Sequence, residues 1–109
     1  MNEIVIAMYR PFAATNRQMM LELIRAHNTT LRVEGLITDR AAVLAESEDG
    51  TFLEVFEWKP GAAQKAHGHK AVQKIWKRME ELCEFAPLIS LPEAEKTFPH
   101  FKPVDGVVS

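Results

Sequence analysis

The tetrapeptide Glu48-Asp49-Gly50-Thr51 stands between two apolar runs, one around Ala42-Val43-Leu44-Ala45 and one beginning Phe52-Leu53-Glu54-Val55-Phe56. An Asp-Gly pair in that setting folds a chain back on itself, because glycine takes the positive-φ position of a tight turn without steric cost. The sequence therefore predicts two adjacent antiparallel strands, Arg40–Ser47 and Phe52–Lys59. The second strand constrains the fold further. Side chains alternate between the two faces of a strand, so Leu53 and Val55 point one way while Phe52, Phe56 and Trp58 point the other. Both faces are apolar, and both require cover.

Residues Glu3–Arg10 alternate loosely, are rich in Ile and Val, and stop at Pro11, as a strand would. From Thr15, a suitable N-cap, the residues Met20, Leu23, Ile24 and Leu31 recur at helical spacing, so a helix is predicted to Leu31 with Gly35 marking its exit. After Pro60-Gly61, a short helix is predicted over Ala62–His67. Gly68 interrupts it. A longer helix then presents Val72, Ile75, Trp76, Met79, Leu82 and Cys83 along one face, and Ala86–Leu91 reads as a fourth strand. Residues 93–109, with Phe98-Pro99-His100-Phe101-Lys102-Pro103, have no period and read as an extended tail to a domain of residues 1–92. A chain of 109 residues is too short for two independent cores. The order β-α-β-β-α-β is the ferredoxin-like α+β plan, an antiparallel sheet with both helices on one face. Helices on one face leave the other apolar face bare, which predicts a homodimer with sheets packed face to face, enclosing a cavity between or within them, and one pocket per subunit between the sheet and its helices or partner.

The net charge of −2 and isoelectric point near 6.1, with Lys and Arg scattered among Asp and Glu, exclude the basic footprint of a nucleic-acid binder. No apolar run is long enough to span a bilayer. The opening MNEIVIAMYR has an acidic residue where a secretory leader is basic. A single cysteine, Cys83, makes no internal disulfide and suits a cytoplasmic location; its place in an apolar stripe reads as core. There is no glycine-rich phosphate loop and no dinucleotide fingerprint, so nucleotide and nicotinamide chemistry are not expected.

The hairpin EDGTFLEVFEWK followed by AAQKAHGHKAVQKIW resembles the dimeric α/β barrel superfamily, specifically its antibiotic biosynthesis monooxygenase-like branch, over about residues 3–92. The resemblance implies a barrel dimer with a pocket for a small apolar or aromatic molecule. In the cofactor-free monooxygenases of this group the third strand carries an Asn and, four residues on, a Trp, with a Tyr in the following helix. Trp58 matches that Trp, whereas the other two positions hold Glu54 and Gln64. Against the haem-degrading members, Tyr9, Ala66 and Trp76 stand where Asn, Trp and the ligand His belong. None matches, which speaks against haem.

Glu54, Phe56 and Trp58 share a strand face, expected to line the barrel. A carboxylate among aromatics is either kept neutral by desolvation or paired with a cation such as Arg10 or Arg40. As chemistry, Glu54, or His67 in its stead, is the candidate base. Trp58 and Phe56 would hold the substrate, and Arg10 or Arg40 a developing oxyanion. His67 and His69 flank the break at Gly68, where one of them can face the barrel mouth. An HxH pair alone does not make a metal site, and no metal is expected. His27, between Ile24 and Leu31, reads as a core or rim residue, and Trp76 as core. The expected activity is oxygenation of an aromatic or polyketide-like substrate through its own carbanion, without a cofactor. An enolate-type isomerase and a non-catalytic metabolite-binding or stress-related barrel are the alternatives.

Overall fold

A computed structural model describes residues 1–104 of the chain. The hairpin forms where Asp49-Gly50 requires it. Gly50 takes φ +88°, the Thr51 amide donates to Asp49 Oδ1 at 3.0 Å, and the Ser47 amide donates to the Thr51 carbonyl at 2.8 Å. The turn joins β2 (Val43–Glu46) to β3 (Phe52–Trp58), with Leu44 opposite Glu54. On the other side of β3 lies β1 (Glu3–Pro11), in a register that runs from Glu3 opposite Trp58 to Tyr9 opposite Phe52. A short β4 (Cys83–Phe85) pairs with β1, and β5 (Lys102–Pro103) with β2. The result is an open antiparallel sheet of five strands, ordered β4-β1-β3-β2-β5.

Among the described residues three α-helices complete the fold: α1 (Arg17–Val33), α2 (Ala62–His67) and α3 (Lys70–Leu82). Gly61 opens α2 with φ +71°. His69, extended between the helices, makes α2 and α3 two pieces rather than one. No helix among the described residues is long and apolar enough to cross a membrane.

Three expectations change. The strand expected at Ala86–Leu91 is displaced to Cys83–Phe85, because α3 runs directly into extended backbone at Cys83 (φ −150°, ψ 164°) and meets β1 at Pro11. Leu88–Ser90 is instead a 3-10 turn behind Pro87, and Cys83 is buried in β4 rather than on the helix stripe. The expected Arg40–Ser47 strand contracts to Val43–Glu46, since Arg40 Nε and Thr38 Oγ1 both donate to Glu57 Oε1 and hold the preceding residues in a loop. The segment beyond residue 92 returns to the sheet: Glu93 accepts from Ser47 Oγ at 2.7 Å and from the Glu48 amide at 2.9 Å, and β5 extends the β2 edge. Residues 105–109, the end of the expected tail, lie outside the described residues.

All three helices cover one sheet face. Its inward side chains form two apolar clusters, one around Phe52, Leu44, Met20, Ile24 and Met79 and one around Phe56, Leu31, Ala66 and Val72. On the outer face Ile6, Val55 and Val43 stand in a row across three strands. The chain after β4 crosses the hairpin end of this face, where outward Leu53 is buried, but Ile4, Ile6 and Val43 stay 42–56% exposed.

Nothing lies within 4 Å of a Cβ placed on Gly50, so Gly50→Ala meets only the backbone cost of a positive φ, about 1 kcal/mol. Chemical denaturation checks this. No loss would show that the turn is not held at positive φ, and a loss of several kcal/mol that the added Cβ meets a neighbour.

Candidate functional site

Glu54 lies between the two apolar clusters, flanked on the sheet by Ala7 of β1 and Leu44 of β2. It is 1% exposed. A charged carboxylate in that position is costly unless donors surround it, and three converge on it. Tyr9 donates its hydroxyl to Oε1 at 2.6 Å. His27 Nδ1 lies 2.9 Å from Oε1 and 3.1 Å from Oε2, and Asn28 Nδ2 donates to Oε2 at 3.2 Å. His27 and Asn28 are successive residues of α1, so the helix meets the carboxylate with both.

The proton positions follow from the outer partners. Trp76 Nε1 lies 2.9 Å from His27 Nε2. An indole nitrogen only donates, so Nε2 is the unprotonated acceptor and Nδ1 carries the proton given to Glu54. Arg32 Nη2 donates to Asn28 Oδ1 at 3.4 Å, which turns the Asn28 amide nitrogen toward Glu54 by the same reasoning. A carboxylate accepting three donors, an oriented neutral imidazole and an indole thus form one connected network. Burial, then the Glu54 charge beside it, pushes the Tyr9 hydroxyl well above its ordinary pKa.

The network forms the floor of a cleft of about 490 Å³ between sheet and helices. Strand β1 contributes Val5, Ala7 and Tyr9, β3 contributes Phe56 and Trp58, and β4 Phe85. The helices add His27, Ala63, His67, Trp76 and Glu80. Phe56 and Trp58 meet edge to face with ring centroids 5.0 Å apart, and His67 meets Trp76 likewise at 5.0 Å. The wall is mostly aromatic and aliphatic, with no Lys or Arg in it.

Of the residues singled out in the sequence, Phe56, Trp58 and His67 line this cleft. Glu54 sits behind it and is reached through Tyr9 and His27. The face bearing Glu54, Phe56 and Trp58 is covered by the chain's own helices, which corrects the expectation that a partner covers it and places the cleft between the sheet and its helices. The arginines expected beside Glu54 are engaged elsewhere. Arg10 alternates to the outer face and meets Thr51, Asp49, Glu84 and Ser90, while Arg40 pairs with Glu57. His69 pairs with Glu34 at 2.9 Å. Among the described residues no three His, Cys, Asp or Glu side chains are grouped to hold a metal ion. Burial raises the Cys83 thiol to about 11, which makes it a core residue rather than a nucleophile.

Tyr9, His27, Asn28 and Trp76 are the members that sequence reading missed. The available signal was His27, a polar residue on the Met20-Ile24-Leu31 stripe, facing a strand whose Phe52-Phe56-Trp58 face carries one carboxylate, Glu54.

Tyr9 is the chain's only tyrosine, so its ionisation can be followed by tyrosinate absorbance. Its folded-state pKa is raised, so its contribution to stability is full below the ordinary value near 10 and is lost as pH rises above it. The expected result is no tyrosinate signal until the chain unfolds at alkaline pH; titration near pH 10 with the fold intact would contradict the Glu54 contact. Comparison with known proteins finds no family model, no curated protein and no solved structure that matches the chain.

Proposed function

We propose that this chain is a small enzyme that removes a proton from an uncharged apolar or aromatic molecule held in the cleft. The observation that carries the reading is the Glu54 and His27 pair. The buried carboxylate fixes the proton on Nδ1, leaving the unprotonated Nε2 as the basic atom of a residue that lines the cleft. A proton taken from an acidic C–H goes to Nε2, and the imidazolium that forms stands against Glu54. The substrate is left as a carbanion or enolate. Reprotonation at another carbon makes the reaction an isomerisation; addition of the carbanion to O2 gives a hydroperoxide that loses water to leave a carbonyl, a monooxygenation whose electrons all come from the substrate and which needs no bound cofactor. Glu54 is then the orienting carboxylate and His27 the base. Phe56 and Trp58 hold the ligand, and His67, exposed at the mouth, exchanges the proton with solvent.

The finer fold assignment is part of this reading. The strand order β4-β1-β3-β2 with the helices on one face supports a ferredoxin-like plan and membership of the dimeric α/β barrel superfamily, of the antibiotic biosynthesis monooxygenase type. Exposed Ile4, Ile6 and Val43 support a homodimer through the outer face. The free Cys83 suits a cytoplasmic setting.

A second reading, a non-catalytic metabolite-binding barrel, is favoured by one observation: Trp76 already occupies His27 Nε2, so the polar network is satisfied as it stands.

A carbon-acid probe separates the two. The protein is expected to speed solvent-deuterium exchange at the benzylic C–H of phenylacetone, and Glu54→Gln and His27→Asn to lower that rate by about a hundred- to ten-thousand-fold. Binding without faster exchange leaves the non-catalytic reading. Oxygen uptake distinguishes oxygenase from isomerase. In sedimentation the chain is expected to run as a dimer at micromolar concentration and Ile6→Glu as a monomer; a monomeric parent chain would refute the outer-face dimer.

A further inference from the structure

The basic nitrogen of the site is closed off by one side chain. Trp76 Nε1–H donates to His27 Nε2 at 2.9 Å, and an unprotonated imidazole nitrogen offers a single in-plane lone pair. The indole and a ligand's donor cannot both use it. Trp76 is also a partition between two spaces. On one side is the cleft of about 490 Å³. On the other is a groove of about 490 Å³ along α3, lined by Lys70, Gln73, Lys74, Lys77 and Glu80 together with Trp76. The same helix anchors itself in the core through Val72 and Met79, both fully buried, while Trp76 is only half-buried. Trp76 packs against the edges of both core clusters, so the ring can turn toward the groove only by giving up those edge contacts, while Val72 and Met79 keep the helix in place.

We infer that Trp76 is an exchangeable cap: an uncharged ligand that directs an O–H, an N–H or an acidic C–H from an apolar body takes over His27 Nε2, and the indole moves aside toward the α3 groove. This rests on the cleft being the ligand site, as proposed above. Two features of the wall set the ligand class. A molecule with none of these leaves the indole hydrogen bond in place and gains apolar contact alone. An anion meets Glu80 in the wall and Glu54 behind it, with no Lys or Arg among the lining residues, and is rejected by like charge.

Phenol, anisole and benzoate test this on the full chain, observed through the Trp76 indole N–H resonance, assigned with Trp58→Phe, and the methyl resonances of Val5 and Ala7. Phenol is expected to move both sets saturably, anisole to move only the methyls and more weakly, and benzoate to move neither. If phenol moves the methyls while the Trp76 resonance stays fixed, or if anisole or benzoate binds as tightly as phenol, the cap is refuted and the cleft stands as a ligand site. If no probe moves the methyls, the cleft reading itself fails, and the cap with it. Trp76→Phe keeps the ring and removes the competing donor, so phenol should bind about three- to tenfold more tightly. An unchanged Kd overturns the proposal.

Discussion

One buried carboxylate sets the terms for the helix layer. Taking Glu54 out of water costs several kcal/mol, and a hydrogen bond to a charged group returns about 1.5–3 kcal/mol. Three such bonds, from Tyr9, His27 and Asn28, are therefore enough to offset the cost, and two are marginal. Apolar burial supplies most of the stability but is non-directional. The polar contacts are directional. Because His27 and Asn28 are consecutive, α1 can satisfy Glu54 at only one rotation and one height over β3, so the network fixes a helix register that Met20, Ile24 and Leu31 alone would leave looser.

The same layout explains where the cleft opens. Over Phe52 and Leu44 the inner face is filled by α1 and α3. Toward Trp58 the covering element is α2, of six residues with small side chains at Ala62 and Ala66, and the chain breaks at Gly68 before α3 begins. Ala7 stands beside Glu54 on β1. Small residues on the sheet and a short helix above it leave space between them, and the polar network is the floor of that space.

The sequence makes local features legible and long-range partnerships obscure. The Asp-Gly hairpin, the two apolar faces of β3 and the extent of α2 each depend on residues within a few positions of one another, and each follows from turn chemistry or side-chain alternation. The partners of Glu54 do not. Tyr9 is 45 positions away and His27 is 27, and Trp76 lies 49 from His27. An arginine is the natural first expectation for a buried carboxylate, yet Arg10 falls on the wrong face by alternation alone, as the strand pattern already implies. Misplacement of β4 has a different cause: the Ala86–Leu91 segment is as apolar as a strand, but register with β1 begins directly at the end of α3, and that register is a tertiary fact.

The choice of neutral donors over a cation bears on chemistry. An arginine beside Glu54 would form a pair with no proton to move, since a guanidinium does not deprotonate in a protein. A neutral imidazole in the same place leaves the carboxylate charge uncompensated by a direct ion pair. A proton arriving at His27 Nε2 then turns one buried charge into an adjacent pair of opposite charges, and the protein already holds the geometry for that pair at 2.9 Å. Under the proposed function, this arrangement favours the state after proton uptake over the state before it, which is the condition for lowering a proton-transfer barrier. The occupied Nε2 follows the same logic: a lone pair facing an apolar cleft needs a donor, and the Trp76 indole provides one without bringing charge.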